Sequence, residues 1–172
     1  MRAAARNGHC EVIRLLMADS RCDPSALKNT AIQFASSNGH LLVVEELLKD
    51  ERVNPADESK EISQKYLLTC CLDNCAIRYA SAKGHEEVVE RLLQDPRVDP
   101  SDVNNEGKKL FSAQKINMLA IRFASRNGHW RVVELLLKDS RVDPNADNYY
   151  CIRYACENGH LEVLKVKYLN EY

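Results

Sequence analysis

An Asn-Gly-His triplet recurs along the chain as Asn7-Gly8-His9, Asn38-Gly39-His40, Asn127-Gly128-His129 and Asn158-Gly159-His160, with Lys83-Gly84-His85 as a one-residue variant. Its glycines lie 31, 45, 44 and 31 residues apart, so two intervals share a period and two exceed it by 14 and 13. A fixed period of this length is the mark of stacked supersecondary units, here carrying two insertions. All five histidines and five of the six glycines fall in these triplets. The residues best suited to chemistry or to breaking a helix are therefore committed to one architectural position.

Residues 30–36, 75–81, 119–125 and 150–156, just before the later triplets, each carry an Ile and, three residues on, an Ala. That spacing places both on one face of a short helix. Asn29, Asn74, Asn117 and Asn148 precede these segments and are expected to cap them, accepting from the free N–H groups of the first turn. The glycine then ends the helix where the backbone must turn left-handed. A second helix follows at once, with stripes Val43, Val44, Leu47, Leu48, then Val88, Val89, Leu92, Leu93, then Val132, Val133, Leu136, Leu137,. Helices this short do not persist alone. The unit is expected to be stable only when stacked on copies of itself, with each fully buried Leu or Val contributing roughly 1.5–3 kcal/mol.

Four of the five prolines close related loops, Arg21-Cys22-Asp23-Pro24, Arg52-Val53-Asn54-Pro55, Arg97-Val98-Asp99-Pro100 and Arg141-Val142-Asp143-Pro144. The Val is placed to plug the seam between repeats, while Asp and Pro favour a turn. The chain divides accordingly into a partial repeat (1–27), a repeat (28–56), an insertion (57–72), a repeat (73–102), an insertion (103–116), a repeat (117–147) and an irregular last repeat (148–172). In the last, Lys167 and Tyr168 stand where Leu47 and Leu48 stand in the second.

At 172 residues, with 45% hydrophobic and 28% charged side chains, the composition is that of a folded domain,. A formal charge of −1 gives no field to recruit nucleic acid or an anionic membrane,. No apolar run approaches the roughly 20 residues that span a bilayer. Seven scattered cysteines, an odd number, fit reduced thiols rather than a disulfide framework,. The chain is expected to be intracellular, cytoplasmic or nuclear.

The Gly-His hinge and the Val-Val-x-x-Leu-Leu helix resemble the ankyrin repeat, a helix pair with a β-hairpin-like loop. The family's Thr-Pro-Leu-His helix start has become Thr30-Ala31-Ile32-Gln33 here and Cys75-Ala76-Ile77-Arg78 in the next repeat, and the unit is two residues shorter. This short variant is similar to arrays encoded in many copies by giant DNA viruses and protists, which would place it in host cytoplasm if it is viral. The resemblance implies an all-α solenoid of paired antiparallel helices with short hairpin-like loops and two loop insertions, a monomer that binds another protein on its concave loop and first-helix face.

No catalytic set, cofactor, metal or small-molecule substrate is expected. The hinge residues Gly8, His9, Gly39, His40, Gly84, His85, Gly128, His129, Gly159 and His160 read as structural, because their histidines, one per repeat and about 10 Å apart at ordinary helix spacing, cannot share a metal ion. Cys70, Cys71 and Cys75 form the one cluster open to a thiol or metal sensor. Arg2, Arg78, Arg122 and Arg153 share a repeat position and either recognise a partner or bond neighbouring loops. Partner contact falls to positions that differ among copies: Ser37, Ala82, Arg126 and Glu157, which correspond to contact positions in the family, together with Trp130 and the second-insertion residues Lys108, Lys109 and Phe111. The alternative function is that of a structural spacer within a longer array.

Overall fold

The computed structural model describes residues 1–57, 74–100, 119–142 and 146–169. Both insertions lie essentially outside them, and with them Cys70, Cys71, Lys108, Lys109, Phe111 and Asn117. The described residues form ten helices and no strand. One layer contains α1 (Arg2–Arg6), α3 (Ala26–Ser37), α5 (Cys75–Lys83), α7 (Leu119–Arg126) and α9 (Ala146–Glu157). The other contains α2 (Cys10–Ala18), α4 (Leu41–Leu48), α6 (Glu86–Leu93), α8 (Trp130–Leu137) and α10 (Leu161–Leu169). Each first-layer helix packs on the next first-layer helix and on its own second-layer partner, and the second layer stacks in the same order.

The turn within each pair is the same five times. The glycine sits at φ between 72 and 78°. The following histidine N–H donates to an alanine carbonyl five residues back, as His40 does to Ala35 at 3.0 Å and His129 to Ala124 at 2.9 Å. The glycine N–H donates three residues back, Gly84 to Ser81 at 3.3 Å. These two bonds satisfy carbonyls that the helix end would leave open. The histidine carbonyl then accepts the first bond of the second helix, from Val44 in one repeat and Val89 in another.

The core is a continuous seam between the layers. Ile13, Ile32, Ile77, Ile121, Val44, Val89, Leu47, Leu92 and Leu136 are buried within it, and the loop valines Val53, Val98 and Val142 join the same cluster. Stacking, and not helix amphipathicity alone, does the burying. Val43, Val88 and Val132 are each 1% exposed where a preceding repeat covers them, whereas Val12 at the same repeat position in the first repeat is 44% exposed.

Of the asparagines expected to cap first-layer helices, Asn29 and Asn74 do something else, and Asn148 falls inside α9. The starts of α1 to α6 and of α8 carry no side-chain cap bond. Asn29 and Asn74 have φ of 56 and 55°, in the left-handed region. From there Asn29 Oδ1 accepts the Asn54 N–H at 2.8 Å and Asn74 Oδ1 the Asp99 N–H at 3.0 Å, each in the loop about 25 residues on. The side chain tethers the next loop instead of its own helix. At α3 the left-handed stretch extends over Leu27, Lys28 and Asn29, so the right-handed helix begins at Thr30. Thr30 Oγ1 donates to the Leu27 carbonyl and Gln33 Nε2 to that of Lys28, which ties the entry turn down.

One buried column is imperfect. Ser36, Ser81 and Ser125 share a repeat position, are 0% exposed and make no side-chain hydrogen bond, while Ala5 fills the same slot in the first repeat at 0% exposure. A buried hydroxyl without a partner costs free energy that a methyl group does not. Ser81→Ala is expected to leave the melting temperature unchanged or raise stability by up to about 1 kcal/mol. A clear loss on thermal unfolding would show that the hydroxyl has a partner.

Candidate functional site

Two features join neighbouring repeats, and both are built from residues at fixed offsets from the glycine. The first is the histidine. Its ring lies over the glycine of the preceding repeat, so that a Cβ built on Gly8, Gly39, Gly84 or Gly128 would fall 2.8, 2.7, 2.5 and 2.7 Å from Nδ1 of His40, His85, His129 and His160. The same ring places Nε2 within 2.9 to 3.1 Å of the carbonyl oxygen of Arg6, Ser37, Ala82 and Arg126 respectively. Nε2–H is the donor to that carbonyl, and Nδ1 faces the glycine,. Burial pushes the His85 pKa down, against the bond to Ser37, which raises it.

The second feature is a clasp in the loops. Asp19, Asp50, Asp95 and Asp139 each receive the backbone N–H and the guanidinium of the arginine two residues on, with the carboxylate 2.6 to 2.7 Å from the arginine Nη2. Arg97 and Arg141 also donate to the carbonyls of Val53 and Val98 in the preceding loop, at 2.6 and 2.9 Å. Each clasp thus fixes its own turn, and these two also dock it on its neighbour. The hydrogen bonds from arginine hold all four carboxyls below their ordinary range, and Asp95 is the most enclosed, at 7% exposure. Sequence reasoning singled out Arg-Val-Asp-Pro and overlooked the Asp two residues before the Arg. The repeated Asp-x-Arg spacing was the available signal.

The positions that vary among copies are distributed unevenly. Arg126 and Glu157 are exposed, Ala82 is half-buried, and Ser37 is buried at 3% exposure, so Ser37 offers a partner no side-chain surface. Trp130 is half-buried against the core with the Arg131 guanidinium 4.9 Å from its ring centre, so it is not a freely projecting anchor. The arginine position is not a uniform ladder: Arg2 and Arg153 are exposed, Arg122 is half-buried, and Arg78 is 4% exposed with Nη1 3.9 Å from the Cys75 sulfur. Cys75 itself is 0% exposed. Among the described residues no three His, Cys, Asp or Glu side chains converge on a metal position, and no helix is long and apolar enough to cross a membrane.

Charge is segregated between the layers. The first-layer helices α1, α3, α5 and α7 carry Arg2, Arg6, Lys28, Arg78, Lys83, Arg122 and Arg126 and no acidic residue; Asp147 and Glu157 appear only on α9, beside Arg153. In the second layer α4 and α6 lean the other way, with Glu45 and Glu46 on α4 and Glu86, Glu87 and Glu90 against Arg91 on α6, while α2 and α8 are balanced. An overall charge of −1 conceals this division.

The lowered aspartate pKa values set a pH dependence. A carboxyl held below its unfolded value, about 3.9, contributes stability that is present above that pH and lost as pH falls through the folded value. A histidine pushed down behaves alike, with loss beginning below about 6.5. The melting temperature should therefore fall in two stages on acidification. Asp95→Asn should cost about 1–2 kcal/mol at neutral pH and weaken the stage below pH 4. An acid limb identical to wild type in Asp95→Asn would contradict the clasp.

Comparison with known families gives two matches: a family model described as ankyrin repeats (3 copies) matches residues 1–106, and one described as ankyrin repeats (many copies) matches residues 77–137. No curated protein matches the chain.

Proposed function

The chain belongs to the ankyrin-repeat family, whose members are generally non-enzymatic protein-interaction modules, and we propose that it binds a partner protein along its first-layer helices and Gly-His loops. The observation that carries this reading is the contrast between positions. Four of the five hinge glycines, four of the five histidines and the clasp arginines Arg97 and Arg141 are used in holding repeats together. What differs from copy to copy and is exposed, at Arg6, Arg126 and Glu157, stands on the first-layer edge. Energy for a partner must come from side chains the scaffold does not need. Lys108, Lys109 and Phe111 of the second insertion, which lie outside the described residues, are further proposed contacts for the partner.

A random peptide library displayed against the full chain tests this directly. Selected peptides should lose at least tenfold in affinity on Arg126→Ala with Glu157→Ala, and nothing on Glu45→Ala with Glu90→Ala in the second layer. Loss confined to the second-layer variant would move the site to the other face. Failure to select any binder would favour the spacer.

A further inference from the structure

Several arginines of this protein contrast in what they touch. Those of the loops are clasped by Asp19, Asp50, Asp95 and Asp139, and in the second layer Arg14 pairs with Glu11 and Glu46, and Arg131 lies 3.7 Å from Glu86. On the first layer, Arg6, Arg126 and Arg153 are exposed and have no carboxylate partner among the described residues. Two of them are held in place by something else. The Arg6 guanidinium lies 5.7 Å from the Phe34 ring centre and that of Arg126 5.6 Å from Tyr154, each reaching over the aromatic ring of the following repeat. A guanidinium stacked on a ring face keeps its N–H edges free for a carboxylate in bidentate geometry. Because the ring already restricts the side chain, less entropy is lost when a ligand engages it.

On the reading that the first layer binds a partner, we infer that the partner supplies an extended acidic segment, with carboxylates that meet Arg6 at one end and Arg126 at the other. Arg6 and Arg126 are three repeats apart along first-layer helices, α1 to α7, that carry no acidic residue, so on the described helices between them the segment meets no carboxylate. At a helix spacing of 8–10 Å the two arginines are separated by roughly 25–30 Å, which an extended chain covers in about eight or nine residues. Nucleic acid is the less suitable ligand: the free guanidinium groups are few and far apart, whereas a phosphate backbone presents charge every few ångströms and rewards dense contact.

The probe is a fluorescein-labelled peptide, Glu-Glu-(Gly-Ser)3-Glu-Glu, titrated with the full chain and read by anisotropy. Lysine-for-glutamate peptide and a ten-nucleotide single strand serve as comparisons. The acidic probe should bind, weaken at least fivefold in Arg6→Gln with Arg126→Gln, weaken likewise when salt is raised from about 50 to about 300 mM, and be unaffected by Arg91→Gln in the second layer. An unchanged melting temperature in the glutamine variants keeps the comparison free of unfolding. No binding of the acidic probe, equal binding of the lysine peptide, indifference to Arg6 and Arg126, or tighter binding of the oligonucleotide would each overturn the inference. If library-selected peptides depend on Arg126 yet lack acidic residues, the interaction-module reading stands and only the acidic partner falls.

Discussion

A histidine ring resting on the preceding repeat's glycine is the contact on which the array's geometry turns. It requires three things of two separate repeats. The glycine must adopt φ near 75°, which a Cβ resists, and it must leave the space above Cα empty for the ring,. The histidine must then reach a carbonyl two residues before that glycine, as His85 reaches Ser37 at 3.1 Å. The same glycine and histidine also close the turn inside their own repeats. One short sequence therefore specifies both how a repeat folds and where the next one sits.

Around that contact, stability is a nearest-neighbour property. The exposure of Val12 beside the burial of Val43, Val88 and Val132 shows one residue type at one position gaining its burial from the repeat before it. The loop clasps repeat the logic at the other end of the helices, where Arg97 and Arg141 each hold a turn and a neighbouring carbonyl. Polar and apolar contacts thus agree on a single stacking register, a consistency that favours one native arrangement over slipped ones.

Much of this was legible in the sequence because the period repeats each signal. The helix pairs, the left-handed glycines and the seam valines follow from spacing alone. What was not legible depended on direction. Asn29 and Asn74 precede helices as caps do, yet a left-handed backbone swings their side chains towards the next loop, and a one-dimensional pattern does not carry that sign. Ser37 and Trp130 varied like surface positions, but their burial depends on neighbours in three dimensions. The Asp-x-Arg clasp and the basic first layer were present in the sequence, the first as a two-residue spacing beside the more conspicuous Arg-Val-Asp-Pro signal, the second offset in the total by acidic residues of the second layer and the loops.

The division of labour bears on function. Stacking absorbs four of the five hinge glycines, four of the five histidines and, of the clasped arginines, Arg97 and Arg141, and leaves Arg6, Arg126 and Arg153 without a carboxylate partner among the described residues of one layer. The central structural claim is that glycine and histidine are one unit across a repeat boundary. A double-mutant cycle on Gly84 and His129 measures it. Gly84→Ala should cost about 2–5 kcal/mol in wild type, combining left-handed strain with collision against the ring. In a His129→Ala background only the strain should persist, about 1–2 kcal/mol, so the two losses should fall short of additivity by at least about 1 kcal/mol. Strict additivity of the two substitutions would contradict the account.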